Sequence, residues 1–384
     1  MIRLVVVATH PTDHLAAYLR ALAARNEVDL HVLYAWRPES DERTPPDLLE
    51  GYSWGELEEV RVAKEGPRGF RGLSVPRLDR QLAAQQADAV LATGWYSHLL
   101  RQAGRAGRRL RIPRLLRGKW NDLQVRGTYG RFRLRSVLRP FSSYLAVGRA
   151  NRRLYESSGI AAARVFDAPY AVDNARFVAR AAELRPHRAE LRERWLVSGD
   201  DFCVVQVGAL DESRRPFDVL EAIEIVRRAR ADIRLLVVGD GPLEAQVRER
   251  ARERRLPVTF AGHLPMEELM AAYAAADALV LASESEESWG LVVNEAMASG
   301  IPAVVSDQVG CREDLVLDGE TGFSFRVGDS RGLAACLASL TDDPILASAM
   351  GEAARDRVVA EYSIDRADEG TLAALDGASR SGER

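Results

Sequence analysis

DFCVVQVGALDESRRPFDVLEAIEIVRRARADIRLLVVGDG, residues 201–241, decides the fold. DFCVVQVGAL is a short apolar run rich in β-branched residues, as a strand buried on both faces requires. FDVLEAIEIVRRAR reads as a helix, and DIRLLVVGDG as a second strand. The rhythm continues downstream. PLEAQVRERARERR is a helix, VTFAGH a strand, MEELMAAYAAAD a helix, ALVLAS a strand, WGLVVNEAMASG a helix and IPAVVSD a strand. Strands alternating with helices specify a parallel sheet covered on both sides.

The first half repeats the pattern. IRLVVVATH opens as a strand, Leu15, Leu19 and Leu22 share one helical face, and VDLHVLYAW is the next strand. ADAVLATGW, RIPRLL and SSYLAVG follow as further strands. The stretch 172–199 is looser, with Asp173-Asn174, Pro186 and many Arg and Glu residues, and reads as a boundary plus a first helix. The tail from Ser363 to Asp376 is helical. The expectation is two doubly wound α/β domains facing each other across a cleft: residues 1–171, with 364–384 packing back on them, and residues 172–363. Ligands of such sheets bind beyond the carboxyl ends of the strands.

Bulk properties narrow the function. The chain has 384 residues, enough for two domains, and a net charge of −3 that gives no overall pull toward nucleic acid. Its three cysteines, Cys203, Cys311 and Cys336, lie in apolar stretches without metal-ligand spacing, which suits a reducing compartment. No apolar run reaches the roughly 20 residues of a membrane span. Residues 1–8 read as a buried strand rather than a signal peptide, so a cytoplasmic location is expected.

The chemistry concentrates in EESWGLVVNEAMASGIPAVVSD, residues 286–307. Gly290 stands where a loop enters a helix, and Gly300 with Pro302 ends that helix. The first amides, at Gly290, Leu291 and Val292, have no intrahelical acceptor and form a seat for a diphosphate, aided by the helix dipole. Glu287 precedes the helix and Glu295 lies one turn inside it. Carboxylates beside a diphosphate are costly unless they take hydroxyls, so sugar and ribose hydroxyls are their natural partners. Read singly, each is equally a helix-start carboxylate or a solvated helix residue.

This segment resembles glycosyltransferase family 4, whose signature places two glutamates with seven residues between them around F-G-L and followed by E-A-M-A-x-G-x-P; Trp289 takes the aromatic slot. The resemblance implies a GT-B fold and retaining transfer of a hexose-type sugar from a UDP- or GDP-sugar, with no metal or other cofactor. It also implies that Glu287 holds donor-sugar hydroxyls and Glu295 the ribose. VVQVGALDESRRPFDVLEAI is similar to the family's V-G-R-L-x-x-x-K-G segment, with Gly208 as its first glycine, where basic side chains clamp the diphosphate. Ala209 replaces the first basic residue, and spacing alone does not choose between Arg214 and Arg215 for the second. VTFAGH resembles the strand that meets the base, which implies contacts from Gly262 and His263.

The first half, with LLEGYSW, ADAVLATGWYS, IPRLLRGKWND, LAVGRANRRLYESSGI and APYAVDNARF, resembles family members working on cell-surface polysaccharides such as lipopolysaccharide. That implies a glycan or lipid-linked acceptor. Two departures stand out. Thr9-His10-Pro11-Thr12-Asp13 replaces a glycine-rich loop, and Arg117-Gly118 stands where many relatives carry a histidine. His10, Asp13, His14 and Arg117 are therefore the acceptor-side candidates.

Between Arg101 and Arg139 lie thirteen basic residues against one acid, Asp122. From Arg131 to Leu145 the spacing is helical, with Leu134, Val137, Leu138, Phe141 and Leu145 on one face and Arg131, Arg135 and Arg139 in a stripe. Such a helix can lie on an anionic membrane surface, placing the protein at the inner face of the cell membrane. Two rival functions share these features: a sugar-nucleotide epimerase and a non-catalytic sugar-nucleotide-binding protein. A nicotinamide dehydrogenase is a weaker reading still, since no G-x-G-x-x-G follows either first strand.

Overall fold

The computed structural model describes residues 1–36, 48–64, 66, 72–125, 127–199, 201–229 and 232–380. They divide into two units: Met1–Val172 with Ile364–Arg384, and Asp173–Ser363.

In the first unit the strands are β1 (Ile2–Ala8), β2 (Val28–Tyr34), β3 (Ser53–Glu56), β4 (Arg61–Val62), β5 (Leu73–Ser74), β6 (Ala89–Ala92), β7 (Arg114–Leu116), β8 (Ser143–Ala146) and β9 (Val165–Asp167). Among the described residues, seven of these form a parallel sheet in the order β3-β2-β1-β6-β7-β8-β9, while β4 and β5 pair antiparallel as a separate ribbon. The helices are α1 (Asp13–Ala23), α2 (Leu78–Ala84), α3 (His98–Leu110), α4 (Gly127–Leu138) and α5 (Arg149–Ser157). The period of two along β1 explains why every residue from Leu4 to Ala8 is apolar. Leu4, Val6 and Ala8 join the core under α1, whereas Val5 and Val7 join the core under α2 and α3.

The helix expected over Arg131 to Leu145 is shorter. α4 stops at Leu138, and Leu145 lies in β8. Pro140 lacks the amide a continuing helix needs, and the apolar SYLA run pairs with β7 and β9 instead.

The second unit opens with α6 (Asn174–Leu184) and α7 (Arg188–Arg194). Its sheet is all parallel among the described residues, in the order β12 (Val258–Gly262), β11 (Ile233–Val238), β10 (Phe202–Val207), β13 (Ala278–Leu281), β14 (Ala303–Ser306), β15 (Gly322–Phe325). Around it run α8 (Pro216–Ala229), α9 (Glu244–Glu253), α10 (Met266–Ala275), α11 (Leu291–Ala298), α12 (Arg312–Leu315), α13 (Ser330–Asp342) and α14 (Pro344–Glu361). Val219, Leu220, Ile223 and Val226 of α8 bury one face against Phe202, Val204 and α13. Each such side chain contributes roughly 1.5–3 kcal/mol through burial.

A last helix, α15 (Ile364–Arg380), returns to the first unit. Ala367, Ala374 and Leu375 enter the same core as Leu4, Tyr18 and Leu145. Gly370 packs so tightly that a β-carbon there would come within 1.8 Å of the Asp167 carbonyl oxygen of β9. Tyr18 and Thr371 share a buried hydroxyl hydrogen bond of 2.8 Å. Arg25 pairs with Asp365 at 2.8 Å and with the fully buried Asp368 at 3.2 Å. Burial pushes the Asp368 carboxyl up to about 6, against the pull of Arg25. Among the described residues no single helix is long and apolar enough to cross a membrane.

Candidate functional site

In the second unit the residues singled out by sequence gather at the carboxyl ends of β10, β12 and β13 and at the start of α11. Gly208 ends β10 in a left-handed conformation (φ +131°), and the Arg214 guanidinium lies over it. The loop then makes a short 3-10 turn, Glu212–Arg214, whose first amides are capped by Asp211: Oδ1 accepts from Arg214 N at 3.1 Å. That turn aims Arg214 across to the end of β13, where Nη1 donates to Ser283 Oγ at 3.3 Å. The same guanidinium forms an ion pair with Glu287, whose side chain is 15% exposed.

Arg215 goes elsewhere. Its backbone is left-handed (φ +49°), and its guanidinium is held by Asp218 at 2.5 Å and by Glu284 at 2.8 Å. These two carboxylates raise its proton affinity above the usual arginine range. The structure thus separates two arginines that spacing left equivalent: Arg214 joins Glu287, and Arg215 braces the loop.

The segment 283–290 is stitched in from both sides. Glu284 N donates to Ser213 O at 2.8 Å, Gly310 N to Glu287 O at 3.1 Å, and Cys311 N to Trp289 O at 2.9 Å. Trp289 is buried, with Nε1 donating to Asn294 Oδ1 at 2.8 Å, so the aromatic slot anchors the loop from inside. Gly290 then takes φ +99° and ψ +62°, a conformation open to glycine, and α11 starts at Leu291 with no side-chain cap at its N-terminus. A β-carbon at Gly290 would also press on Leu281 at 3.0 Å. Val292 follows Leu291 in the first helical turn, and Glu295 lies one turn in, where Oε2 accepts from the Tyr273 hydroxyl at 2.8 Å. Gly262 ends β12 with φ +68°, and its carbonyl accepts from Gly239 N at 2.7 Å; His263 beside it is exposed. Cys311, behind the loop, is buried, and burial together with Glu287 pushes its thiol well up. Among the described residues there is no group of three potential metal ligands.

The acceptor-side candidates belong to the first unit and cluster where β1 leads into α1. His10 stacks on Trp36 with ring centroids 5.4 Å apart, and Thr9 Oγ1 lies 3.0 Å from His10 Nδ1 and 2.8 Å from the Tyr96 hydroxyl. Asp13 is the exposed first residue of α1. His14 sits edge-on to Tyr170 at 5.8 Å. Burial first, then Arg117, Lys119 and His10, lower its ring to about 3, so it is neutral at physiological pH. Arg117 is only 5% exposed. Its guanidinium lies 4.3 Å from the Tyr18 ring centre and 4.6 Å from that of Tyr170, and Nη2 donates to Pro169 O at 3.1 Å. The Arg117 side chain is therefore committed to the interior, which neither its charge nor its place after a strand reveals in sequence.

The basic stretch is likewise split. Arg101 is buried and donates to Trp95 O at 3.0 Å, and Arg114 bonds the carbonyls of Pro140 and Ile112. On α4, Arg133 and Arg135 are exposed, and so is Arg139 just beyond it. Phe132 beside them is 74% exposed, a residue the helical spacing had not singled out. The Arg131 side chain and Arg126 lie outside the described residues.

Comparison with known proteins bears on the same region. The family model described as glycosyl transferases group 1 matches residues 187–357. A glycogen synthase of Mycobacterium tuberculosis is 35% identical over 161 residues, covering 41% of this chain and 38% of that one. A GDP-mannose-dependent phosphatidylinositol monomannoside mannosyltransferase of Mycolicibacterium smegmatis is 31% identical over 217 residues, 54% of this chain and 55% of that one. The chain therefore spans about half or less of the length of these curated relatives. Among solved structures, HepE of Anabaena in complex with UDP superposes with a TM-score of 0.74 at 17% identity, covering 98% of this chain and 100% of that one. The parallel sheets and these likenesses make the chain a protein of the GT-B fold, similar over residues 187–357 to the glycosyl transferases group 1.

Proposed function

We propose that this protein is a retaining glycosyltransferase that moves a hexose-type sugar from a UDP- or GDP-sugar to a glycan or lipid-linked acceptor in cell-surface polysaccharide assembly. The observation that carries the reading is the grouping of Arg214 and Glu287 with the uncapped start of α11. A cation, a hydroxyl-binding carboxylate and a row of amides are the set a sugar diphosphate needs. Support for the donor class comes from relatives and neighbours whose names include GDP-mannose and UDP.

In this reading the bond between the anomeric carbon and the diphosphate oxygen breaks as the ring gains oxocarbenium character. Arg214 and the amides of Gly290, Leu291 and Val292 take up the departing charge, while Arg215 keeps the loop in place. The acceptor oxygen bonds on the face the diphosphate leaves, and its proton goes to that diphosphate. Glu287 orients the sugar and Glu295 the ribose; Gly262 and His263 lie by the base. No divalent cation is assigned a part. His10 and Asp13 are the acceptor-side residues. The exposed face of α4, with Phe132, Arg135 and Arg139, is assigned to an anionic membrane surface at the inner side of the cell membrane.

The test has two stages. Melting in the presence of UDP, GDP, ADP and their sugars should single out one nucleotide, since a ligand that binds the native state stabilises it by mass action. Proton NMR of the product from the matching α-linked donor should then show an α-anomer. No stabilisation by any nucleotide removes the donor reading, and a β-product removes retention.

A further inference from the structure

Helix α10 ends in Ala271-Ala272-Tyr273-Ala274-Ala275, so Tyr273 brings the one side-chain hydrogen-bonding atom of that turn. Its ring is fully buried and lies 6.4 Å from Phe177 of α6 at 58°. A hydroxyl at that depth needs a partner, and it reaches α11, where it donates to Oε2 of Glu295 at 2.8 Å. Burial and the adjacent Glu295 carboxylate hold the phenol proton well above the usual tyrosine range, so the group remains a donor throughout the working pH range. A glutamate side chain has three torsions, and fixing any of them before binding saves an entropic cost.

We infer that Tyr273 is a positioning residue for nucleotide recognition: by holding Oε2 of Glu295, it sets the carboxylate in advance to meet the ribose hydroxyls. This rests on the assignment of Glu295 to the ribose. The effect of Tyr273 is then expected at the diol, because its phenol donates to the carboxylate assigned to meet it. Packing and positioning part company in the conservative variant: phenylalanine fills the same space and keeps the contact with Phe177, but it donates no hydrogen bond.

The experiment uses the full chain and two probes, UDP or GDP (whichever stabilises more) and its 2′,3′-dideoxy counterpart. Calorimetry on wild type should show the ribonucleotide bound more tightly by about tenfold, the size of one charge-assisted bond. Tyr273→Phe should lose most of that preference and bind the dideoxy form as wild type does, with its melting temperature showing that the fold is kept. Glu295→Gln provides the companion measurement and should lose the preference as well. If Tyr273→Phe retains the preference while Glu295→Gln loses it, the positioning role is overturned and the ribose role of Glu295 stands. If wild type binds both forms equally, the ribose assignment fails and the inference fails with it. Equal weakening toward both probes in Tyr273→Phe shows a merely structural residue and also overturns the inference.

Discussion

Arg214 pairs with Glu287, so the loop after β10 is tied to the loop after β13 by opposite charges, with Ser283 Oγ 3.3 Å from the same guanidinium. In the proposed reading, a sugar diphosphate entering here would meet its cation and its carboxylate already adjacent. Replacing Glu287 with Gln keeps the shape and removes the charge. Both Glu287→Gln and Glu295→Ala are expected to lower transfer by about 100-fold or more, on the scale of losing one group that acts in the transition state. The check is turnover with the true donor, alongside a melting curve that shows the fold retained. Wild-type rates in either variant would refute the assignment.

The two arginines should behave differently. Arg214→Ala is expected to weaken nucleoside diphosphate binding by about 1.5–3 kcal/mol, the usual worth of a hydrogen bond to a charged group. Arg215→Ala should cost less affinity and more stability, since Asp218 and Glu284 lose their shared partner. Calorimetry with the best-binding nucleotide, run beside thermal melting, separates the two effects. Equal losses of affinity would show that both arginines clamp phosphate.

His14 makes stability depend on acid. Its folded-state ring titrates near 3, below the unfolded value of 6.5. The unfolded chain therefore binds more protons between those limits, and His14 makes stability fall as pH drops from about 6.5 toward 3. Asp368 acts in the opposite sense, since its folded carboxyl titrates near 6, above the unfolded 3.8. The difference between wild type and His14→Gln isolates the histidine. Urea midpoints taken from pH 7 to pH 4 should fall less steeply in the variant, and parallel curves would show that His14 is not buried neutral.

Membrane contact can be tested on α4. Phe132 and Arg135, with Arg139 just beyond the helix, present an exposed aromatic ring among cations. Each arginine near an anionic surface contributes about 1 kcal/mol, screened by salt. Sedimentation with phosphatidylglycerol vesicles should fall steeply as salt rises and fall further in a Phe132→Ser, Arg135→Gln, Arg139→Gln variant. Neutral vesicles should bind little. No sedimentation with anionic vesicles at low salt would show that this face is solvated.

The central strands were legible because they are apolar on both faces: IRLVVVA, FCVVQV and IRLLVV allow few alternatives. The sheet margins were not. Val165–Asp167 and Gly322–Phe325 have three and four residues, too few to show a period, and Ser53–Glu56 is a polar edge strand. Of the candidate site, Gly290 and the two glutamates could be read from residue type and spacing. The separate directions of Arg214 and Arg215 could not, because they depend on backbone conformation. Arg215 takes a left-handed backbone, φ +49°, which residue type does not announce. Tyr273 escaped notice for another reason: an alanine-rich helix gives no sign that its one phenol points at a carboxylate 22 residues on.

The return of α15 to the first unit reverses the order in which the two units can be completed on the ribosome. Leu4, Tyr18 and Leu145 are synthesised early, yet the layer that covers them includes Ala367, Ala374 and Leu375. Every residue of the unit Asp173–Ser363 has been added to the chain before that layer exists. The unit begun first is thus finished last, and until then its nascent sheet leaves an apolar face to water or to a chaperone.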